Sequence, residues 1–425
     1  MADTRTQASD GQALAKTDLQ IPEETIREAQ ELARGAEILP EGASGLAKRI
    51  HQVRSKGQVL RVKLGVDPTS MDLHIGHAVI LRKLKRFQEF GHQVVLIIGG
   101  FTAQVGDPSG RNATRPQLTA QDVANNAQTY LDQVKLVLDL EKTEITNNAD
   151  WLAPMTLQDW LALASRVTVN QLLAKEAFGD RLEKQQSVAF HELFYPLLQA
   201  YDSVAIRADV ELGGTDQRFN ILQGRELQPN YGLEPQLACL LPLLEGTDGE
   251  RKMSKSYDNY IGLKEEPSEM FGKAMRIPDE LIIKYFELTT SLNGAEVDEI
   301  RKGIENGGNP RDAKQRLAAQ LVRQYHGDAA AAAVQDEWTR VHSQKQVPDE
   351  MPSHVVTEPT PIFRLLTEAK MAASGGEAKR LITEGGVRLD GEQVKDPMQQ
   401  VAIEHGTTKV LQVGRRKFVR LVCSS

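Results

Sequence analysis

Cysteine is nearly missing from this chain. The two present, Cys239 and Cys423, lie far apart and form no metal-binding motif, a usage that suits a reducing cytosol. No apolar run approaches the ~20 residues that a membrane-spanning helix needs. The first residues, MADTRTQASDGQALAKTD, are polar with no apolar core, which predicts a flexible tail and neither a secretory signal nor a membrane anchor. Excess positive charge is also lacking. The formal net charge of −7 excludes a histone-like coat but leaves room for local nucleic-acid contacts. There is no glycine pattern ending in Gly-Lys-Ser/Thr, no G-x-G-x-x-G after the first strand, and no repeat at solenoid periods.

What is present is an ordinary globular composition, 40% hydrophobic and 26% charged over 425 residues, enough for two to four domains. Ile21 to Leu39 has the makings of a charged helix. Leu60, Val62, Leu64 and Val66 alternate as in a strand. The loop DPTSMD follows, then Ile80, Leu84 and Phe87 at helical spacing up to Gly91, then the apolar run QVVLIIGGF. Strand, loop, helix and strand in about forty residues predict a βαβ unit in a doubly wound α/β domain, with ligands at the C-terminal ends of the strands. Residues 111–190 look mainly helical. VELGGTDQRFN and LACLLPLLEG look like a return to the sheet, and helices follow Pro267. The expected divisions are a tail and helix over 1–40, a Rossmann-like catalytic domain over 41–262, an α-helical domain over 263–342, a proline-rich linker over 343–360 and a small α+β module over 361–425.

The electrical balance changes at the end of the chain. Residues 361–425 carry eleven Lys plus Arg against seven Asp plus Glu, net +4, leaving 40 against 51, net −11, in the rest. Such an appendage points to a polyanion, although a solvated charged surface would look the same.

His74 and His77, in LHIGH, stand three apart at the strand–loop–helix junction. A metal site lacks partners beyond Asp72. HELFY at 191–195 begins like a zinc-protease helix, but Tyr195 stands where the second histidine belongs. At a helix start, free N–H groups favour an anion, and imidazoles there can stabilise phosphate charge. Cations for such a site are available at 252–256, KMSKS, where Lys252 and Lys255 lie three apart. Taken alone, that string is either a mobile phosphate clamp or an exposed basic turn. Tyr195, Gln199 and Asp202 have helical spacing that puts them on one face among apolar neighbours, where they could line a polar slot.

HIGH followed about 175 residues later by KMSKS resembles the signature of class I aminoacyl-tRNA synthetases. Together with LGVDPTSMDLHIGHAVILRKLKRFQEFGHQ, GDPSGR, FYPLLQAYDSVAI and GGTDQRFN, it resembles the bacterial tyrosyl-tRNA synthetase family over nearly the whole chain. The resemblance implies activation of L-tyrosine by ATP, with Mg2+, to tyrosyl-adenylate and pyrophosphate, then transfer to the 3′-terminal adenosine of tRNA(Tyr). It implies a cytoplasmic homodimer, with no membrane association and no tightly bound, protein-ligated metal.

By that resemblance Thr69, His74, His77, Lys252 and Lys255 are catalytic. The first motif comprises Pro68, Thr69, Leu73, His74, Ile75, Gly76 and His77, and the second Lys252, Met253, Ser254, Lys255 and Ser256. ATP would be bound by Gly65, Asp67, His74, Gly76, His77, Gly214, Asp216, Gln217 and Lys255. Tyrosine would meet Asp107, Tyr195 and Gln199 near its ammonium and Asp202 at its phenol. Lys63 departs from the better-known branch, which has a tyrosine there, and is expected beside the phenol or pointing elsewhere. Discrimination against phenylalanine would then lean on Asp202.

In the tail, Ser374 and Glu377 form a capping-box pattern, Gly385 or Gly386 ends the helix, and VRLDGEQV reads as a hairpin with an Asp-Gly turn. The segment resembles an S4-type RNA-binding domain, which puts Lys379, Arg380, Arg388, Arg415 and Arg416, with Lys417, toward tRNA. An adenylyltransferase of the same fold, a catalytically dead RNA-binding relative and a tryptophan-specific sibling are the rivals. The intact motif pair, the basic tail and Asp202 weigh against them.

Overall fold

A computed structural model describes residues 20–68, 72–109, 119–342, 351–414 and 417–423. These pack as two compact units, one built from the described residues up to 266 and from 272 to 317, the other from 267–271 and the described residues from 318 on. The helices expected to form a separate domain over 263–342 are therefore shared between the two.

The first unit is organised by a six-stranded sheet: β1 Glu37–Leu39, β2 Arg61–Val66, β3 Gln93–Ile98, β4 Thr143–Asn147, β5 Val210–Gly214 and β6 Leu237–Leu241, in spatial order β1-β6-β5-β2-β3-β4. β2 to β6 are parallel, and β1 runs antiparallel along β6. β3 and β6 are nearly continuous apolar runs, and β5 is wholly buried with Glu211 its one charged residue, because helices cover both their faces. The helix Ile75–Glu89 buries Ile75, Ala78, Val79, Leu81, Leu84 and Phe87. Gly91, at φ +83, terminates it.

Two strands depart from expectation. The helix expected from Ile21 to Leu39 covers only Glu23–Ala33. Gly35, at φ +68, then turns the chain so that Glu37–Leu39 pairs with β6. β4 lies in the stretch expected to be helical, and as an edge strand with two exposed positions it carries no apolar alternation.

The chain winds outward from β2 through β3 to β4, then returns to β5 on the other side of β2. The winding therefore reverses between β2 and β5, and the C-terminal ends of these two strands form the crevice where such sheets bind ligands. No helix among the described residues is long and apolar enough to cross a membrane.

The second unit holds a five-stranded sheet. Its strands are β7 Ser353–Val356, β9 Val387–Leu389, β10 Glu392–Gln393, β12 Thr408–Val413 and β13 Lys417–Cys423, in the order β10-β9-β12-β13-β7; β8 Thr360–Pro361 and β11 Gln400–Val401 form a separate pair. β7 lies within the expected linker, where four prolines mask its apolar Val-Val, and it pairs parallel with β13. Helices Ile362–Glu368 and Gly375–Thr383 bury Leu365, Leu366, Ala378 and Ile382 in the same core as Val387, Leu411 and Leu421. Ser374 caps the second helix by accepting from Glu377 N, but Glu377 reaches back to Ala373 N rather than to Ser374. Asp390 and Gly391, at φ +50 and +86, make the hairpin turn of β9 and β10.

Candidate active site

A cavity of about 830 Å³ opens at the point where the winding reverses. Gly65 and Asp67 reach it from the end of β2, Gly99 and Asp107 from beyond β3, Gly213, Gly214, Asp216 and Gln217 from β5, and Leu243 and Leu244 from beyond β6. Gly99 is required by close packing, since a Cβ there would fall 2.0 Å from Asp67 Oδ1.

His74, Gly76 and His77 line this cavity, whereas Thr69 lies outside the described residues. His74 is the N-cap of the Ile75–Glu89 helix, in extended conformation. Its own backbone N–H donates to Nδ1 of His77 at 3.3 Å, and the two rings stack with centroids 3.8 Å apart. With Nδ1 accepting, the neutral His77 carries its proton on Nε2. Burial, then the neighbouring His77 and Lys255, lowers His74 to about 2. Burial, then Lys255 and Lys252, lowers His77 to about 4. Both imidazoles are therefore neutral donors near pH 7. A Cβ at Gly76 would sit 3.0 Å from His74 Nδ1, so glycine lets this ring pack against the helix start.

Lys252, Met253, Ser254, Lys255 and Ser256 line the cavity beside the two histidines. The chain enters this segment by Met253 N donating to Leu244 O at 2.8 Å. It leaves through Asn259, whose Oδ1 accepts from Ser254 N at 2.8 Å. The nearly buried Asn259 also donates to Asp248 and to the carbonyls of Arg251 and Lys252. Beyond it, Ile75 N donates to Ile261 O at 2.9 Å and Leu263 N to Leu73 O at 3.0 Å. Two segments nearly two hundred residues apart are thus stitched by backbone hydrogen bonds. Lys255 pairs with Asp72, and Lys252 lies 4.0 Å from Asp216.

The pocket floor comes from the helix Tyr195–Ala205. Tyr195 OH donates to Asp67 Oδ2 at 2.8 Å, and Asp67 Oδ1 accepts from Thr102 Oγ1 at 2.7 Å. Asp202 accepts from Trp151 Nε1 at 2.8 Å and Asn148 Nδ2 at 3.2 Å. Burial pushes it up to about 7, against Lys63 and these two donors. Burial also pushes Asp107 upward, but Lys175 and hydrogen bonds from Ser109 and Gln217 outweigh that and leave it below the usual carboxylate value. Tyr195, Gln199 and Asp202 all line the cavity, on one helix face.

Residues 55–343 match the family model of class I tRNA synthetases specific for tryptophan and tyrosine, and residues 343–421 match the model of the tyrosine–tRNA ligase SYY-like C-terminal domain. The chain is 48% identical over 404 residues to the tyrosine–tRNA ligase of Moorella thermoacetica, covering 94% of this chain and 97% of that one. It is 50% identical over 373 residues to that of Thermotoga maritima, covering 88% and 92%. The chain belongs to the tyrosine–tRNA ligases. The fold agrees with a truncated mitochondrial tyrosyl-tRNA synthetase of Aspergillus nidulans, at TM-score 0.61 and 24% identity, over 76% of this chain and 94% of that one.

Lys63 was expected among the tyrosine-binding residues. It does not line the cavity. Its ammonium is wholly buried beneath the pocket floor, 2.9 Å from Glu211 Oε1, and donates to Gln199 O at 2.9 Å and Ser203 Oγ at 2.8 Å. The strand's alternation aims it at the 195–205 helix, where it meets Gln199 and Ser203. Asn148, Trp151, Lys175, Ser203 and Glu211 were absent from the expected site. Trp151, one of only three tryptophans, was the available signal. Buried Lys175 donates to Asn220 Oδ1 at 2.9 Å and lies 3.4 Å from Asp107.

Glu192 forms a buried pair with Arg181, and no group of three or more His, Cys, Asp or Glu among the described residues is placed to hold a metal ion. In the second unit Lys379, Arg380 and Arg388 are exposed. Lys379 lies 4.7 Å from the Phe363 ring centre, and Arg388 donates to Gly391 O. Arg415 and Arg416 lie outside the described residues, and Lys417 begins β13.

Proposed function

We propose that this member of the tyrosine–tRNA ligases carries out both steps of the family's reaction in the cavity described above. The carboxylate of L-tyrosine attacks the α-phosphorus of ATP, the bond to the bridging oxygen breaks, and pyrophosphate leaves with the electron pair. The terminal adenosine hydroxyl of tRNA then attacks the tyrosyl carbonyl and releases AMP. The substrate brings its own nucleophile, so the protein positions the reactants and stabilises charge.

The observation that carries this assignment is the meeting of His74, His77, Lys252 and Lys255 at one wall with Asp202 at the floor. His77 Nε2–H would donate to phosphate oxygens, with His74 beside it. Lys252 and Lys255 would exchange Asp216 and Asp72 for the departing pyrophosphate. Asp216 and Gln217 would hold the ribose side, with Gly65 and Gly214 flanking the nucleotide. Asp107, Tyr195 and Gln199 would receive the ammonium, and Asp202 the phenol hydroxyl. Mg2+ would enter with ATP. Asp67 and Asp107 are already engaged by protein donors, so phosphate oxygens and water would supply most of its ligands.

The basic residues of the second unit, including Lys379, Arg380 and Arg388, would hold tRNA(Tyr) mainly by its phosphates. A homodimer is part of the proposal. Leu157, Leu161, Val169 and Phe190 are 76%, 64%, 60% and 75% exposed, and a second copy would cover them. Cytosolic placement follows from the location of the substrates.

The test is ATP–pyrophosphate exchange with tyrosine, tryptophan and phenylalanine supplied separately. Exchange with tyrosine alone is expected, and exchange driven by tryptophan but not tyrosine would overturn the assignment.

A further inference from the structure

Lys63 and Glu211 are direct register partners on the parallel strands β2 and β5, and their side chains are 0% and 1% exposed. A buried ion pair is a poor stability device, because apolar residues of the same volume do as well or better. Every polar atom of this pair is nevertheless satisfied. Lys63 spends its three N–H groups on Gln199 O, Ser203 Oγ and Glu211 Oε1. Glu211 Oε1 also accepts from Gln199 Nε2 at 3.0 Å, and Oε2 accepts from Ser203 Oγ and Gln236 Nε2. Two of those partners, Gln199 and Ser203, flank Asp202 on the floor helix.

We propose that the Lys63–Glu211 pair is a positioning element for substrate specificity: it clamps the floor helix at Gln199 and Ser203, and its ammonium keeps the neighbouring Asp202 an ionised hydrogen-bond acceptor, which favours a phenolic over a phenyl substrate. This rests on the reading of Asp202 as the phenol acceptor.

The groups facing Asp202 make the electrostatics simple. Lys63 from β2 favours its charged form, and Glu211 from β5 opposes it. Asp67 and Asp107, beyond β2 and β3, act on Tyr195 in the same negative sense. Asn148 and Trp151 present only neutral donors to Asp202, Thr102 Oγ1 accepts from Asn148 Nδ2, and Asn220 meets Gln199 as a neutral amide. Lys63 is the cation of this set that acts on Asp202.

The test uses the full chain and the pH profile of kcat/KM for tyrosine in pyrophosphate exchange, between pH 6 and 8.5. The wild type is expected to lose kcat/KM as pH falls through about 7, where Asp202 takes up a proton. Lys63→Met should move that break upward by about one pH unit, with tyrosine-over-phenylalanine preference at pH 7 falling about tenfold. Glu211→Gln should move it downward, and the double variant should return it close to the wild-type value. KM for ATP should stay within about twofold throughout. A purely structural role would lower kcat/KM at every pH and leave the break in place, and that result overturns the inference. Lys63→Arg keeps the charge and should keep the break, so together with Glu211→Gln it decides the matter if Lys63→Met does not fold. Asp202→Asn separates the two levels. If it leaves tyrosine preference intact, the phenol-acceptor reading fails. If it abolishes preference while neither charge variant moves the break, only the Lys63–Glu211 inference fails.

Discussion

The backbone N–H of His74 donates to Nδ1 of His77, and the two imidazoles stack 3.8 Å apart. Two protonated rings cannot share that geometry beside Lys255 without large repulsion. The expected state is neutral for both, with His77 presenting Nε2–H to the cavity. Histidine NMR titration of the free protein should show neither ring protonating between pH 8 and 5. His77→Gln should lower kcat for adenylate formation by about a hundredfold with little change in KM for tyrosine. A midpoint near 6.5 for either ring would contradict this arrangement.

Asn259 governs the loop that carries the lysines. It joins Ser254 N to Asp248 and to the carbonyls of Arg251 and Lys252, at 2% exposure. Asn259→Ala removes all of these at once. Adenylate formation should slow by about ten- to a hundredfold, with tyrosine affinity unchanged, because the loop is freed and the floor is not. Equilibrium tyrosine binding beside single-turnover kinetics checks both halves. Lys252→Ala and Lys255→Ala should each cost about 10²–10³ in kcat, and the double variant less than the product.

Acid should destabilise the fold through histidine. His74 is lowered to about 2, and His77 and His92 to about 4, with burial the leading cause in each. Unfolded histidine titrates near 6.5, so the unfolded chain binds more protons below that pH. Stability is lost as pH falls from about 6.5 to about 4, at up to about 1.4 kcal/mol per pH unit for each histidine. Asp202, raised to about 7, and Asp216, raised by burial, contribute oppositely, removing stability as pH rises through the acid range. Urea midpoints at pH 7 and pH 5 should show the net loss. His77→Gln should reduce it, whereas His92, 3.0 Å from the Glu28 carboxylate, contributes less than its burial alone implies.

Charge reversal in the second unit should separate the two chemical steps. Lys379→Glu with Arg388→Glu is expected to leave pyrophosphate exchange unchanged, to raise KM for tRNA and to flatten its salt dependence by about one to two in the log–log slope. Equal loss in exchange and charging would remove these residues from the tRNA surface.

How much was legible in the chain depended on how local the signal was. β2, the helix behind His74, β3, β5 and β6 announce themselves by alternation, helical period or buried apolar runs. The hairpin at Asp390–Gly391 and the cap at Ser374 follow from turn and capping chemistry. Both signature segments were also recognisable, through their resemblance to the motif pair of class I synthetases, and both line the cavity. Strands β1, β4 and β7 were not, because edge strands need no apolar alternation and owe their state to a neighbour elsewhere in the chain.

By itself, then, the sequence determined the βαβ core, the two signature segments and the Tyr195–Gln199–Asp202 face, each written within a few turns of chain. Tertiary structure alone decided three things. It stitched residues 73–75 to 261–263, placed Asn148 and Trp151 on Asp202, and turned Lys63 from a residue at the phenol into a buried partner of Glu211. The reason is physical. A lysine's role is set by which carboxylate lies within about 3 Å, and residues 63 and 211 become neighbours only when β2 and β5 pair.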